Sequence, residues 1–293
     1  MPFLQVVLDL DQRHPDAAEE ACFRRGALSV TLADAADHPV LEPPPGTTPL
    51  WPTIRLTALF AAGTDGDELV AGLATELSLA RERMHHETLE DRDWEREWLK
   101  DFRPMRFGRR LWICPGGQSS PDPDAVVLQL DPGLAFGTGT HPTTALCLEW
   151  LDSLVLDGLR LLDFGCGSGI LALAALRLGA ASATAVDIDP QALLATRDNA
   201  ARNDLAARLT ILPAAELPDA QWDVVMANIL AGPLIDLASD LARATRAGGR
   251  IILAGMLDEQ VESVAAAYRP WFHIGAFGSR DGWTALTGHK STE

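Results

Sequence analysis

The sequence lacks the features that mark a membrane-spanning, secreted or zinc-binding protein. No apolar run approaches the ~18 residues that a membrane-spanning helix needs. The first ten residues, MPFLQVVLDL, carry no basic segment ahead of their apolar part, which argues against a secretory signal. The four cysteines stand apart with no C-x-x-C pair, which fits a reducing cytosol and disfavours a zinc site. We therefore expect a cytoplasmic protein with no membrane segment and no bound metal.

Basic residues are also scarce. Lysine and arginine together number 24, against 41 aspartates and glutamates, and the net charge is −17. Proteins that bind nucleic acid need a basic surface to neutralise phosphates, so we expect no direct contact with nucleic acid. The acidic excess is strongest in residues 1–100, which hold 19 acidic and 9 basic residues. A basic partner protein would match this excess, although solubility alone also explains it.

The 293 residues, 47% of them hydrophobic, are typical of a globular chain with room for two domains. Residues 1–90 alternate in the order β-α-β-β-α-β, the ferredoxin-like arrangement. We interpret residues 1–90 as a small α+β substrate-recognition domain, residues 91–104 as a helical linker and residues 105–293 as a second domain. In the linker, Trp94 and Trp98 lie four residues apart and share one helical face.

Strands and helices alternate through the second domain, which predicts an α/β, doubly wound, Rossmann-like sheet. Its first core strand runs into the segment L-L-D-F-G-C-G-S-G-I, residues 161–170. Glycines are needed where the backbone takes a positive φ or approaches a ligand closely, so Gly165, Gly167 and Gly169 predict a ligand-binding turn. A dinucleotide fingerprint requires a further glycine where Ile170 stands, which disfavours NAD. Further predicted strands cover residues 183–187, 209–212, 222–227 and 250–254, and predicted helices cover residues 144–154, 171–178, 191–203, 233–244 and 261–268.

An acidic residue follows the second core strand at a suitable distance. Asp187 lies 22 residues after Gly165, and a ribose-binding acid is expected about 20 residues after such a turn. Its carboxylate could instead cap the next helix. Asp189, which directly precedes a proline, suits that cap better, so we favour a ribose-binding role for Asp187.

Residues 131–144 form a second unusual segment, D-P-G-L-A-F-G-T-G-T-H-P-T-T, just ahead of a predicted helix. A loop of this composition can fold over a ligand held by the glycine turn. The Thr144 hydroxyl either binds a ligand carboxylate or caps the helix. His141 is either a general base or a residue that orders the loop. Cys166, inside the glycine turn, has no base near it in sequence, and we interpret it as structural.

Four segments, taken in order, resemble the PrmA family, the bacterial methyltransferases of ribosomal protein eleven of the large subunit. The resemblance covers essentially the full length. The most specific segment is residues 131–144, because glycine turns such as residues 163–172 occur in many methyltransferases. The other two segments are D-I-D-P-Q-A, residues 187–192, and A-N-I-L-A-G-P-L, residues 227–234. The last differs from the N-P-P-Y pattern of glutamine and adenine methyltransferases, which disfavours an amide or base substrate.

The resemblance implies an S-adenosylmethionine-dependent protein-lysine N-methyltransferase. It implies that Thr144, Gly165, Asp187 and Asn228 bind S-adenosylmethionine, and that the first domain docks a basic ribosomal protein. It also implies trimethylation of lysine ε-amines and of the N-terminal α-amine. We add the hypothesis that Asn228 is the catalytic residue that orients the amine, whose proton is lost to water. Phe136 either faces the methylated cation or packs in the loop.

Other functions are compatible with part of this pattern. A methyltransferase that acts on another protein or on RNA would carry the same glycine turn, although the net charge disfavours RNA. An NAD-dependent oxidoreductase would share the fold but conflicts with Ile170. A binding module that kept the fold without activity is the third alternative.

Overall fold

The computed structural model describes residues 2–10, 15–36, 50–89, 103–130 and 139–292. The chain divides into two compact units, Met1–Glu97 and Trp98–Glu293. The predicted linker helix, with Trp94 and Trp98, lies outside the described residues, as does Phe136. Within the described ranges, no helix is long and apolar enough to span a membrane.

The described residues of the first unit form one four-stranded sheet and two α-helices. The strand order is β2-β3-β1-β4, and every pair of neighbours is antiparallel. The predicted ferredoxin-like arrangement is therefore confirmed. The elements are β1 (Phe3–Asp9), α1 (Asp16–Arg24), β2 (Ser29–Asp34), β3 (Ile54–Ala61), α2 (Gly66–Leu77) and β4 (Met84–Leu89).

Alternation of side chains along β3 explains how the sheet of the first unit buries one face. Leu56, Ala58 and Phe60 are buried on the same side, in a cluster with apolar residues of α1 and α2. Helix α2 begins where the Asp65 carboxylate accepts hydrogen bonds from the backbone N–H groups of Asp67, at 3.1 Å, and Glu68, at 3.0 Å.

The second unit is an α/β unit whose described strands form a small three-stranded sheet and a seven-stranded sheet. The small sheet comprises β5 (Met105–Phe107), β6 (Leu111–Cys114) and β7 (Val126–Gln129). The strands of the large sheet are β8 (Arg160–Phe164), β9 (Ser182–Asp187), β10 (Leu209–Pro213), β11 (Trp222–Asn228), β12 (Thr245–Leu257), β13 (Phe272–Arg280) and β14 (Trp283–Lys290). The helices are α3 (Pro142–Ser153), α4 (Ile170–Arg177), α5 (Pro190–Arg202), α6 (Ala231–Asp236), α7 (Ala238–Ala244) and α8 (Val261–Tyr268).

The large sheet has the order β10-β9-β8-β11-β12-β14-β13. Strands β8 to β12 are parallel to one another, whereas β14 is antiparallel to both β12 and β13. Helices α3 to α5 border one hydrophobic cluster, and helices α6 to α8 border another. Helices therefore cover both faces, and the predicted doubly wound, Rossmann-like fold is confirmed. The strand order reverses between β8 and β11, which places the expected ligand crevice at their carboxyl ends.

Two predicted helices differ from the structure. The helix predicted from residue 144 begins at Pro142, because His141 caps it. The single helix predicted over residues 233–244 is two helices that meet at Leu237. The Leu237 N–H closes α6 on the Pro233 carbonyl at 3.0 Å, and the Leu237 carbonyl accepts from the Leu241 N–H at 2.9 Å. This bend lets α6 and α7 both pack on the same hydrophobic cluster.

We predict that Gly255→Ala destabilises the second unit. Gly255 has a φ of 96°, and a Cβ there would lie 2.8 Å from the carbonyl carbon of Ile229 and 3.1 Å from its nitrogen. Backbone atoms cannot move aside cheaply, so we expect a loss of about 2 kcal/mol or more in the free energy of unfolding, measured with urea. Gly275→Ala is the control, since no heavy atom lies within 4 Å of its Cβ position. Equal losses for the two variants would contradict this account.

Candidate active site

The glycine turn connects β8 to α4 at the carboxyl end of the central strand. Gly165, Gly167 and Gly169 have φ values of 78°, 53° and 77°, in the left-handed region that favours glycine. A Cβ at Gly165 would collide with the Ile229 side chain, and one at Gly169 would lie 2.7 Å from the Thr196 Cγ2 atom. The turn therefore requires glycine for its backbone conformation and for its packing.

Asp163 lies beneath this turn and is buried. Its Oδ2 atom accepts a hydrogen bond of 3.0 Å from the Ala172 N–H in the first turn of α4. Its Oδ1 atom has no hydrogen-bond partner among the residues that the structure describes. Burial raises the pKa of the Asp163 carboxyl to about 7. The group therefore attaches α4 to β8 and remains largely protonated below neutral pH.

Asp187 ends β9 beside the glycine turn and is half-buried. Its Oδ2 atom accepts from the Gly167 N–H at 2.9 Å, and its Oδ1 atom accepts from the Asp189 N–H at 3.0 Å. A carboxylate offers about four acceptor positions, so both oxygens can still bind a diol. Asp189 accepts from the Gln191 N–H at 2.9 Å and caps α5, so the predicted cap is confirmed.

Thr144 and Asn228 meet on the other side of the crevice. The Asn228 Nδ2 atom, at the end of β11, donates a 3.2 Å hydrogen bond to the Thr144 Oγ1 atom. Thr144 is buried in the first turn of α3 and does not cap it. The capping interpretation of Thr144 is therefore wrong, because the helix begins two residues earlier with Pro142 at its first position.

His141 caps α3, since its Nδ1 atom accepts from the Thr143 N–H at 3.4 Å and lies 2.7 Å from the Thr143 Oγ1 atom. Burial lowers the pKa of the His141 imidazole, so the ring is neutral at pH 7. The ring also contacts Trp283 edge-on, with centroids 4.9 Å apart and planes at 70°. These contacts support the role of ordering the chain rather than that of a general base.

A cavity of about 290 Å³ opens at the ends of β11 and β12. Most of its lining is apolar, and its wall contains His141, Thr143, Asn228, Leu230, Gly255 and Trp283. Sequence reasoning missed Trp283. No local motif distinguishes this residue, which follows a turn at Asp281 and Gly282 and reaches the site only through strand pairing.

Cys166 is not a nucleophile in this arrangement. Its Sγ atom is buried and lies 3.4 Å from the Thr196 Oγ1 atom. Burial raises the pKa of the Cys166 thiol to about 12, so the reactive thiolate is scarce at neutral pH. The structural interpretation of Cys166 is thus supported. No cluster of three or more metal-binding side chains occurs in the described part of the chain.

The donor and acceptor groups suit S-adenosylmethionine. Asp187 can accept bonds from both hydroxyls of a ribose, and Gly165, Gly167 and Gly169 have no side chains to obstruct a nucleoside. A pyrophosphate would gain little here, because Ile170, buried at the start of α4, stands where the third glycine of the dinucleotide fingerprint is needed. The fold, the turn and the acid after the second strand define the class of S-adenosylmethionine-dependent methyltransferases.

Comparison with known proteins identifies the family within that class. Residues 2–291 match the family model described as "Ribosomal protein L11 methyltransferase (PrmA)". A protein of that name from Ectopseudomonas mendocina is 54% identical over 291 residues, which are 99% of this chain and 100% of that protein. A protein of the same name from Pseudomonas aeruginosa is 53% identical over 294 residues and covers 100% of both chains. The chain therefore belongs to the ribosomal protein L11 methyltransferase (PrmA) family, which confirms the resemblance found in its sequence.

A solved structure agrees with this assignment. The crystal structure of a ribosomal protein L11 methylase from Lactobacillus delbrueckii subsp. bulgaricus is similar, with a TM-score of 0.60 and 31% sequence identity. It covers 65% of this chain and 100% of its own. The protein is thus an S-adenosylmethionine-dependent methyltransferase, and the oxidoreductase alternative is wrong.

We predict that Asp187→Asn weakens cofactor binding. The substitution removes the charge and one acceptor oxygen, and hydrogen bonds to a charged group contribute roughly 1.5–3 kcal/mol. We therefore expect the Kd for S-adenosylhomocysteine, measured by calorimetry, to rise roughly 10- to 100-fold. Asp189→Ala is the matched control, since it removes only a helix cap and should change the Kd less than about threefold. Similar Kd values for the two variants would argue against the role of Asp187.

A second prediction concerns pH and Asp163. The pKa of this carboxyl is raised in the folded state, so the unfolded chain loses the proton from about pH 4 whereas the folded protein retains it to about pH 7. The contribution of Asp163 to the free energy of unfolding should therefore fall as pH rises through this window, by up to about 1.4 kcal/mol per pH unit, so the wild type should lose stability relative to Asp163→Asn. Asp163→Asn should lack this decline in urea unfolding at pH 4 to 8. Parallel curves for the two proteins would refute the assignment.

Proposed function

We propose that the protein transfers methyl groups from S-adenosylmethionine to amines of ribosomal protein L11, and that the reaction occurs in the cytoplasm. The proposed acceptors are lysine ε-amines and the N-terminal α-amine. The names of the relatives support the substrate. The observation that carries the chemistry is the mostly apolar cavity beside Asn228, at the edge of the sheet where the cofactor is expected.

We propose that the cofactor lies across the carboxyl ends of β8 and β9. Its ribose hydroxyls bind the Asp187 carboxylate, and the backbone around Gly165 allows the close approach of the nucleoside. Thr144 and Asn228, joined by their hydrogen bond, hold the end that carries the methyl group. When bound, S-adenosylmethionine supplies an electrophilic methyl group on a sulfonium, so the protein needs mainly to align and dehydrate the acceptor.

The acceptor amine must be neutral to use its lone pair. A lysine has a pKa near 10.4, so only about one in a few thousand is neutral at pH 7, whereas an α-amine has a pKa of about 7.7–8.0. An apolar cavity disfavours the charged form and lowers the pKa of the amine inside it. Leu230 and a neutral His141 line the cavity, so this part of its wall is suited to a neutral nitrogen.

Asn228 is the proposed catalytic residue for orienting the amine. Because its Nδ2 atom donates to Thr144, the amide orientation is held, and the Oδ1 atom serves as an acceptor for an N–H of the amine. The lone pair is then aimed at the methyl group. No dedicated base is invoked, and the proton passes to water.

The acidic surface suits a basic protein partner. The net charge of −17 and the excess of ten acidic residues within residues 1–100 favour association with a basic ribosomal protein. We propose that the first unit provides the docking surface for this protein. We also propose that this recognition domain spans residues 1–90, the limits predicted from the sequence. The same charge disfavours direct contact with nucleic acid.

The test is transfer of labelled methyl groups. Purified protein, S-adenosylmethionine labelled in its methyl group, ribosomal protein L11 of the same organism and, separately, ribosomal RNA are incubated together. We predict label on ribosomal protein L11 and none on RNA. Label on RNA would overturn the proposal. So would ribosomal protein L11 that stays unlabelled although the purified methyltransferase binds the cofactor.

The same assay tests Asn228. We predict that Asn228→Ala lowers turnover roughly 100-fold or more, because misplacing a reacting group by about 1 Å has this effect, while the urea unfolding midpoint changes little. Gln221→Ala is the control, since Gln221 is exposed and directly precedes the opposite end of the same strand. Unchanged turnover in Asn228→Ala would refute the role of this residue.

A further inference from the structure

Trp283 lies at the edge of the cavity beside Asn228, the proposed site of the acceptor amine, and strand pairing holds its backbone there. Trp283 is the first residue of β14, and its register pairs it with Leu257 of β12 and Arg280 of β13. The turn before it has Asp281 and Gly282 at φ values of 52° and 79°, the pattern of a tight hairpin. A residue held by two strand neighbours changes position little when a ligand enters.

The indole ring of Trp283 is held as well. It contacts the His141 ring at 4.9 Å, and His141 is itself attached to the start of α3 through Thr143. The ring forms one wall of the cavity that also contains Asn228 and Leu230. Leu230 is 48% exposed, so this wall continues to the surface, where a long side chain of a partner protein can enter.

The residues that line the cavity favour a methylated amine over an unmodified one. Each transfer forms a bond between the amine nitrogen and the methyl carbon while the carbon–sulfur bond breaks, sulfur keeps the electron pair, and a proton passes to water. The nitrogen becomes larger and less hydrated with each round. No carboxylate lies among the described residues that line the cavity, so no ion pair there selects the unmodified ammonium. An indole ring instead attracts a methylated ammonium and tolerates its apolar surface.

We propose that Trp283 is a specificity-determining residue that allows one amine to accept more than one methyl group. The inference depends on the proposed function, since it concerns the acceptor pocket of the same reaction. The cavity wall that Trp283 forms retains the methylated nitrogen beside Asn228 while the cofactor is exchanged. Without the indole ring, the first transfer still occurs, but the monomethylated amine leaves before the second.

The test follows the masses of ribosomal protein L11 and of its peptides during the reaction with excess S-adenosylmethionine. We expect the wild type to convert modified amines beyond the monomethyl form. Trp283→Leu should raise the ratio of monomethyl to more highly methylated product about tenfold, the size expected from losing a cation–π contact, with a first transfer slowed far less. Trp271→Leu is the control for loss of a tryptophan, because Trp271 packs against the hydrophobic cluster bordered by α6 to α8 and does not line the cavity, and it should leave the ratio unchanged.

Each outcome decides the proposal. A wild type that stops at one methyl group, or a Trp283→Leu variant that slows every transfer equally, would overturn it. If Trp283→Leu no longer binds S-adenosylhomocysteine, Trp283→Phe replaces it in the test. Because its aromatic ring is smaller, this variant should show a partial rise in monomethyl product. A product ratio equal to that of the wild type would refute the role of Trp283. A different result would overturn the proposed function, namely a wild type that binds S-adenosylhomocysteine but transfers no methyl group to ribosomal protein L11.

Discussion

The site depends on the carboxylate of Asp187, which holds two turns of the chain together. Its oxygens accept from the N–H groups of Gly167 and Asp189, so the loop after β8 and the loop after β9 are fixed to each other. Charge-assisted hydrogen bonds of this kind are stronger than neutral ones. The glycine turn, whose backbone is unfavourable for other residues, is stabilised by the same group that is available to a ribose. In the proposed binding mode, one side chain therefore both fixes the turn and recognises the cofactor.

The side of the crevice around Asn228, proposed to hold the amine, is less polar than the side around Asp187. Asn228 and Thr144 form one polar pair, and the rest of the described lining is mostly apolar. This contrast follows from the reaction. The cofactor offers hydroxyls that need acceptors, whereas the amine must lose its charge before it can react. In the proposed mechanism, neutral His141 and the apolar side chain of Leu230 meet that need without a base. Asn228 and the glycine turn lie close together because β8 and β11 are parallel neighbours where the strand order reverses.

Local signals in the sequence predict much of this arrangement, and long-range contacts account for what they miss. The glycine turn and the spacing to Asp187 lie within one β-α-β unit, so the sequence was sufficient to predict them. The start of α3 differs from the prediction because the cap is a histidine, which is not among the preferred capping residues. Trp283 was missed because antiparallel pairing with β12 brings it to a motif more than a hundred residues earlier in the chain. No periodicity or spacing within β14 carries that information.

The central claim is that an S-adenosyl nucleoside lies across the carboxyl ends of β8 and β9 with its ribose on Asp187. The most direct measurement is a crystal structure of the protein grown with S-adenosylhomocysteine. The account predicts density over the glycine turn, with both ribose hydroxyls within about 3 Å of the Asp187 oxygens and the sulfur facing Asn228. Density for the nucleoside elsewhere, or a ribose that leaves Asp187 bonded only to Gly167 and Asp189, would contradict it.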